Sequence, residues 1–127
     1  MQKTVKIDGK PVKMRASALV PRLYRFKFSR DMVADMNQLR KAYLKATNLP
    51  ENATEEERQD AQLSALDLTI FENVSYIMIK HAGEKIPNTP EAWLDSIHGI
   101  FSIYEIMPTI LELWEGNKKT TSIPKKK

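Results

Sequence analysis

The sequence predicts a mainly α domain of the α+β kind: an N-terminal β-hairpin, then about four to five helices packed as a small bundle, then a disordered basic C-terminal tail. Three observations predict it. Apolar and basic residues alternate on either side of an Asp-Gly pair in the first fifteen positions, apolar residues recur three and four apart from Ser17 to Gly116, and no periodicity survives beyond Gly116. The chain therefore reads as one globular domain over 1–116, with the hairpin at 1–15 and the helical part at 17–116, followed by a flexible basic tail at 117–127.

The hairpin rests on Asp8-Gly9. A two-residue type I′ turn needs positive φ at both central positions, which Asp and Gly tolerate, and Pro11 confines its strand to a sheet edge. Val5, Ile7, Val12 and Met14 would share one face. From Ser17, Leu19, Leu23 and Phe26 take helical spacing, and Pro21 either sits in the first turn or marks the helix start. A second helix follows, with Ser29 as N-cap, Asp31 as a first-turn charge and Met32, Met36, Leu39 and Tyr43 on one stripe, stopping near residues 47–50.

Thr54 and Glu57 have the spacing of a capping box, opening one long helix over about 55–81. Its buried stripe would be Leu63, Leu66, Ile70, Val74 and Ile77, widened by Phe71 and Met78, with Gly83 as the stop. Thr89-Pro90 supplies an N-cap and first helical residue for a short helix carrying Trp93, Leu94 and Ile97, ended by Gly99. Ser102 and Glu105 form a further capping box. Ile103, Ile106, Met107, Ile110, Leu111 and Trp114 then repeat helically up to Gly116, with a kink expected at Pro108.

Composition narrows function. The chain has 127 residues and no cysteine, which excludes a disulfide framework, a cysteine-ligated zinc and a cysteine nucleophile. No apolar run approaches the roughly 20 residues that cross a bilayer, and the first residues lack the apolar stretch of a signal peptide. A cytoplasmic protein with no membrane partner is expected. Neither histidine has the company a metal site or general base requires: His81 falls near a helix C-terminus and His98 just before a glycine. Glu55, Glu56, Glu57 and Asp60 sit where a helix N-terminus favours negative charge, and the four glycines assemble no phosphate loop or dinucleotide fingerprint. The reading is of a non-enzyme with no cofactor and no metal.

Charge is the strongest functional signal. Residues 1–47 carry +9, residues 48–116 carry −10 and residues 117–127 carry +5, giving the net +4. The candidate partner-binding residues are Arg22, Tyr24, Arg25, Lys27 and Arg30, where basic and aromatic side chains interleave. Two kinds of partner suit them. A nucleic acid would put phosphates on the cations and bases on the aromatics, with affinity that falls steeply with salt. A protein partner would present an acidic surface, and a chain that is +9 at one end and −10 in its middle can self-associate head to tail into an open or helical array. Against both stands internal pairing of the two charged segments, with Phe26 and Phe28 in the core. Met32, Met36, Met78 and Met107 read first as core packing and second as an adaptable client surface.

Five stretches carry a resemblance: residues 19–31 (LVPRLYRFKFSRD), 35–39 (DMNQL), 68–78 (LTIFENVSYIM), 89–95 (TPEAWLD) and 101–106 (FSIYEI). In this order, over nearly the whole chain, they resemble the small tail assembly chaperones of long-tailed bacteriophages of Gram-positive hosts. The resemblance implies a non-enzymatic protein of the host cytoplasm during phage assembly, absent from the mature virion. It implies a tape-measure protein that the chaperone keeps soluble, and tail-tube protein as a second partner. Many such chaperones have a longer form made by programmed ribosomal frameshifting near the end of the short reading frame. The terminal Lys125, Lys126 and Lys127, with A-rich codons, fit such a site; a plain basic tail is the alternative.

Overall fold

Asp8 and Gly9 both lie in the left-handed region, at φ 59° and 75°, and join strands β1 (Gln2–Ile7) and β2 (Lys10–Arg15) into an antiparallel hairpin. Ile7 pairs with Lys10 and Val5 with Val12, the register a two-residue turn imposes. Val5, Ile7 and Met14 are buried and Val12 packs against them. The computed structural model describes residues 1–99 and 101–121, the last five in backbone only. Six helices follow the hairpin: α1 (Val20–Phe28), α2 (Met32–Thr47), α3 (Glu55–Asp60), α4 (Ala65–His81), α5 (Pro90–Asp95) and α6 (Ile103–Thr121). The mainly α bundle with an N-terminal hairpin is thus the fold of this chain. Among the described residues no helix is long and apolar enough to cross a membrane.

The centre is α4. Strand β2 and helices α1, α2, α5 and α6 all pack on it, and Ile70, Phe71 and the unbroken run 74–79 are buried. A helix on which five elements pack needs apolar residues on more than one stripe, which explains why Tyr76 and Ile79 are buried although neither lies on the predicted stripe.

Several boundaries differ from the sequence reading. The helix expected over 55–81 is two helices, because Ser64 and Asp67 form a capping box of their own, Ser64 Oγ accepting from Asp67 N at 3.0 Å and Asp67 Oδ2 from Ser64 N at 2.9 Å. That second start signal ends the first helix at Asp60 and turns Asp67 inward, where Gln38 Nε2 donates to it at 3.1 Å. Leu66, expected in the core, is 43% exposed. The Thr54/Glu57 box does form, but it caps a six-residue helix with no buried side chain.

Ser29 is not the N-cap of α2. It takes a left-handed conformation, φ 56°, and closes α1 by donating its N–H to Arg25 O. Asp31 caps α2 instead, accepting from Val33 N at 3.0 Å. Pro21 falls inside the first turn of α1, where the missing N–H has no helical partner to lose.

Thr89 caps α5 as expected, yet that helix stops at Asp95, so Gly99 ends nothing. Gly99 lies against the hairpin turn: a β-carbon there would run into Asp8, whose carboxylate accepts from His98 N at 3.2 Å. Ser102 Oγ accepts from Tyr104 N at 3.2 Å in place of the anticipated Glu105 N. Helix α6 passes through Pro108 and beyond Gly116 to Thr121, so the first five residues assigned to the tail continue the helix. Lys125, Lys126 and Lys127 lie outside the described residues.

Candidate functional site

The basic-aromatic segment becomes α1, and the helix divides its residues between two faces. Val20 and Tyr24 turn inward and are fully buried, whereas Arg22, Arg25, Phe26 and Lys27 face outward. Phe26, expected on the apolar stripe, is 68% exposed.

Tyr24 and Arg30 are engaged within the domain by Asp35. Tyr24 Oη donates to Asp35 Oδ2 at 2.8 Å, and Arg30 grips the same carboxylate with both arms, Nε to Oδ2 at 2.7 Å and Nη2 to Oδ1 at 2.8 Å. The Arg30 hydrogen bonds, opposed by burial and helped by Tyr24, hold the Asp35 carboxyl below its ordinary range. Burial first, then Asp35, pushes the Tyr24 hydroxyl far up. This triad pins α1 to α2. Tyr24 is buried, and the partly exposed Arg30 guanidinium is held by Asp35. Their hub is Asp35, which sequence reasoning did not place among the partner-binding candidates; the signal for it was an acid positioned to reach a basic residue across a helix start.

Two of the outward residues, Phe26 and Lys27, border a groove of about 550 Å³ between α1 and the C-terminal half of α4. Tyr76 and Ile77 lie at its base and Leu19, Leu23 and Phe26 along α1. At one end Ser17 Oγ and His81 Nε2 are 2.8 Å apart; burial, then Arg15 and the N-terminal ammonium, hold the His81 imidazole below its usual pKa. At the other end two ammonium groups converge on one asparagine. Lys27 Nζ donates to Asn88 O at 2.7 Å and Lys80 Nζ to Asn88 Oδ1 at 2.9 Å. Arg22 lies over the Phe26 ring at 5.0 Å and Lys27 over the Tyr76 ring at 5.8 Å, contacts that hold cations beside the apolar wall.

The positive and negative segments do not neutralise each other. Among the described residues there are two ion pairs: Arg30 with Asp35, inside the basic segment, and an exposed Lys3–Glu112 contact at 3.5 Å. Arg22, Arg25, Lys27 and Lys80 have no carboxylate of the described residues within ion-pair distance. Direct pairing of the two segments is thus limited, among the described residues, to Lys3–Glu112, and Phe28, edge-on to Tyr24 at 5.0 Å, is partly buried while Phe26 is not. Met32, Met36, Met78 and Met107 are all buried and serve packing rather than a client surface.

No group of three or more His, Cys, Asp or Glu side chains gathers in metal-binding geometry among the described residues. The Glu72 carboxyl is pushed up by burial alone. The site is an apolar channel between two helices, with the Lys27 and Lys80 ammonium groups against one asparagine. Comparison with protein-family models, with curated proteins and with solved structures finds no match to this chain.

Proposed function

We propose that this chain is a phage tail assembly chaperone, a non-enzymatic protein that holds the tape-measure protein in solution and brings tail-tube subunits to it in the host cytoplasm, without remaining in the virion. The observation that carries the reading is the open apolar groove between α1 and α4, bordered by Phe26 and by cations that no carboxylate of the described residues satisfies. A protein whose task is to cover a sticky client needs such a surface, and Leu19 and Phe26, both exposed along one groove, form the kind of apolar patch that marks interaction sites. The ordered resemblance in sequence supplies the identity of the client. Self-association through the oppositely charged segments belongs to the same reading.

The reading is tested by coexpressing the tape-measure protein with and without this chain and measuring its soluble fraction. Soluble tape-measure protein only in the presence of the chain supports it. Insolubility in both cases, or recovery of this chain from purified virions, overturns it. In the native DNA context, a minor longer product that disappears when the codons of Lys125, Lys126 and Lys127 are silently recoded identifies the frameshifted form.

The nucleic-acid reading is weaker on the same geometry. Tyr24 is buried and Phe28 partly so, which leaves Phe26 as the exposed stacking ring of the segment.

A further inference from the structure

The geometry points to one kind of occupant for the α1–α4 groove: an amphipathic α-helix from another protein, with an apolar stripe and with carboxylates at its C-terminal end. This rests on the client-binding reading above and specifies the chemistry of the client segment.

The groove selects a helix over an extended peptide. Its sides are two α-helices, whose backbone groups are already bonded internally, so a strand laid there would leave its own N–H and C=O groups unpaired against Leu23, Phe26 and Ile77. A helix arrives with its backbone satisfied, and two helical sides offer the ridge-and-groove surface on which a third packs. Leu19, Leu23 and Phe26, four and three residues apart, form a ridge of about 10 Å at the ~1.5 Å rise of a helix. That length matches two turns of a partner presenting apolar residues at helical spacing.

The ends of the groove set polarity. At the Leu19 end lies the His81 imidazole, in contact with Ser17. At the other, Lys27 and Lys80 place two ammonium groups on a single asparagine, with no carboxylate of the described residues in ion-pair distance. A carboxylate there meets both cations, and a helix C-terminus adds its own partial negative charge. The acidic helix of a second copy is a poor fit, because α3 reads Glu-Glu-Glu-Arg-Gln-Asp and brings no apolar side chain to the channel.

The test uses three stapled, equally helical synthetic peptides of about 18 residues, roughly 27 Å long, that share one leucine stripe. One carries glutamates in its last turn, one carries them in its first turn, and one has lysines in the last turn; binding to the full chain is read by fluorescence anisotropy. The first peptide is expected to bind roughly tenfold or more tightly than the third, with the second between them. Phe26→Ser should weaken it by roughly tenfold or more, and the Lys27→Glu/Lys80→Glu double variant should prefer the lysine peptide. All three residues are exposed, and unchanged circular dichroism certifies the fold; Leu19→Ser repeats the groove test if Phe26→Ser does not fold.

Equal binding of the three peptides, indifference to Phe26→Ser and Leu19→Ser, or no reversal in the double variant overturns the proposal. So does self-association abolished by Phe26→Ser without peptide binding, which makes the occupant a second copy, or salt-sensitive DNA binding lost in the double variant. Coexpression separates the two levels. If wild type and Phe26→Ser keep the tape-measure protein equally soluble, the groove assignment fails and the chaperone reading stands. If wild type fails to solubilise it while the peptide selectivity holds, the chaperone reading fails and the groove chemistry stands.

Discussion

Arg30→Ala tests the triad that anchors α1, and it does so through the sign of a pH dependence. The Asp35 side chain is 6% exposed and that of Arg30 is 44% exposed, so the two partners do not lose equally when the pair is broken. Arg30 would rehydrate; Asp35 cannot. Two charge-assisted hydrogen bonds disappear, each worth at most about 1.5–3 kcal/mol, and solvent screening of the half-exposed guanidinium lowers the sum to about 2–3 kcal/mol at pH 7. In the wild-type protein the Asp35 carboxyl is held below its usual range, so its stabilising contribution is complete above the unfolded value of about 3.9 and is lost as pH falls through the folded one. Removing Arg30 removes the largest influence that lowers it and leaves burial, opposed by the Tyr24 hydroxyl alone. The variant's carboxyl then lies above its ordinary value, and its penalty is relieved as acid protonates it. Urea unfolding followed by circular dichroism, wild type against Arg30→Ala from pH 7 down to pH ~4, reads the difference directly. The stability gap should narrow as the pH falls. A gap below about 0.5 kcal/mol at pH 7, or one that does not change with pH, would refute the reasoning.

Three further outcomes follow from individual contacts. Ser64→Ala should destabilise the domain by about 1 kcal/mol in urea unfolding, since it uncaps the central helix α4, whereas Thr54→Ala, capping a helix that buries nothing, should stay within about 0.5 kcal/mol. Gly99→Ala should cost about 1 kcal/mol in urea unfolding, because the new methyl group pushes aside the Asp8 carboxylate that accepts from His98 N. Phe26→Ser should leave stability within about 0.5 kcal/mol of wild type by thermal melting, as expected of a ring two-thirds in water.

Three local signals, each with its partners within four residues, were carried in full. Asp8-Gly9 fixed a turn, Thr54 and Glu57 a cap, Thr89-Pro90 a helix start, and each appears in the structure with the geometry its spacing requires. What could not be read locally was the competition between signals. Ser64-x-x-Asp67 lies inside a stretch of good helix formers, and only its reciprocal bonds show that it begins a new helix. Burial of α4 beyond a single stripe depended on five other elements packing on it. The candidate site divided in the same way: Arg22, Arg25 and Lys27 are outward as a basic helix face suggests, while Tyr24 and Arg30 were claimed by Asp35, a contact that depends on the angle between α1 and α2.

The spacing of the aromatic residues in α1 accounts for the groove. Tyr24, Phe26 and Phe28 stand two apart, a period that would place all three on one side of a strand. In a helix, residues four apart share a face and the residue between them points nearly opposite, at about 200° from either. Tyr24 and Phe28 therefore meet edge to face on the inner side, and Phe26 is carried out to the surface with Arg22 over its ring. Burying such a ring is worth about 1.5–3 kcal/mol, which the monomer forgoes and a partner can recover. The same rotation carries Lys27 to the end of the groove, where Asn88 gathers it with Lys80. A pattern that looks like a strand, folded as a helix, thus separates the residues that hold the domain together from those left at its surface.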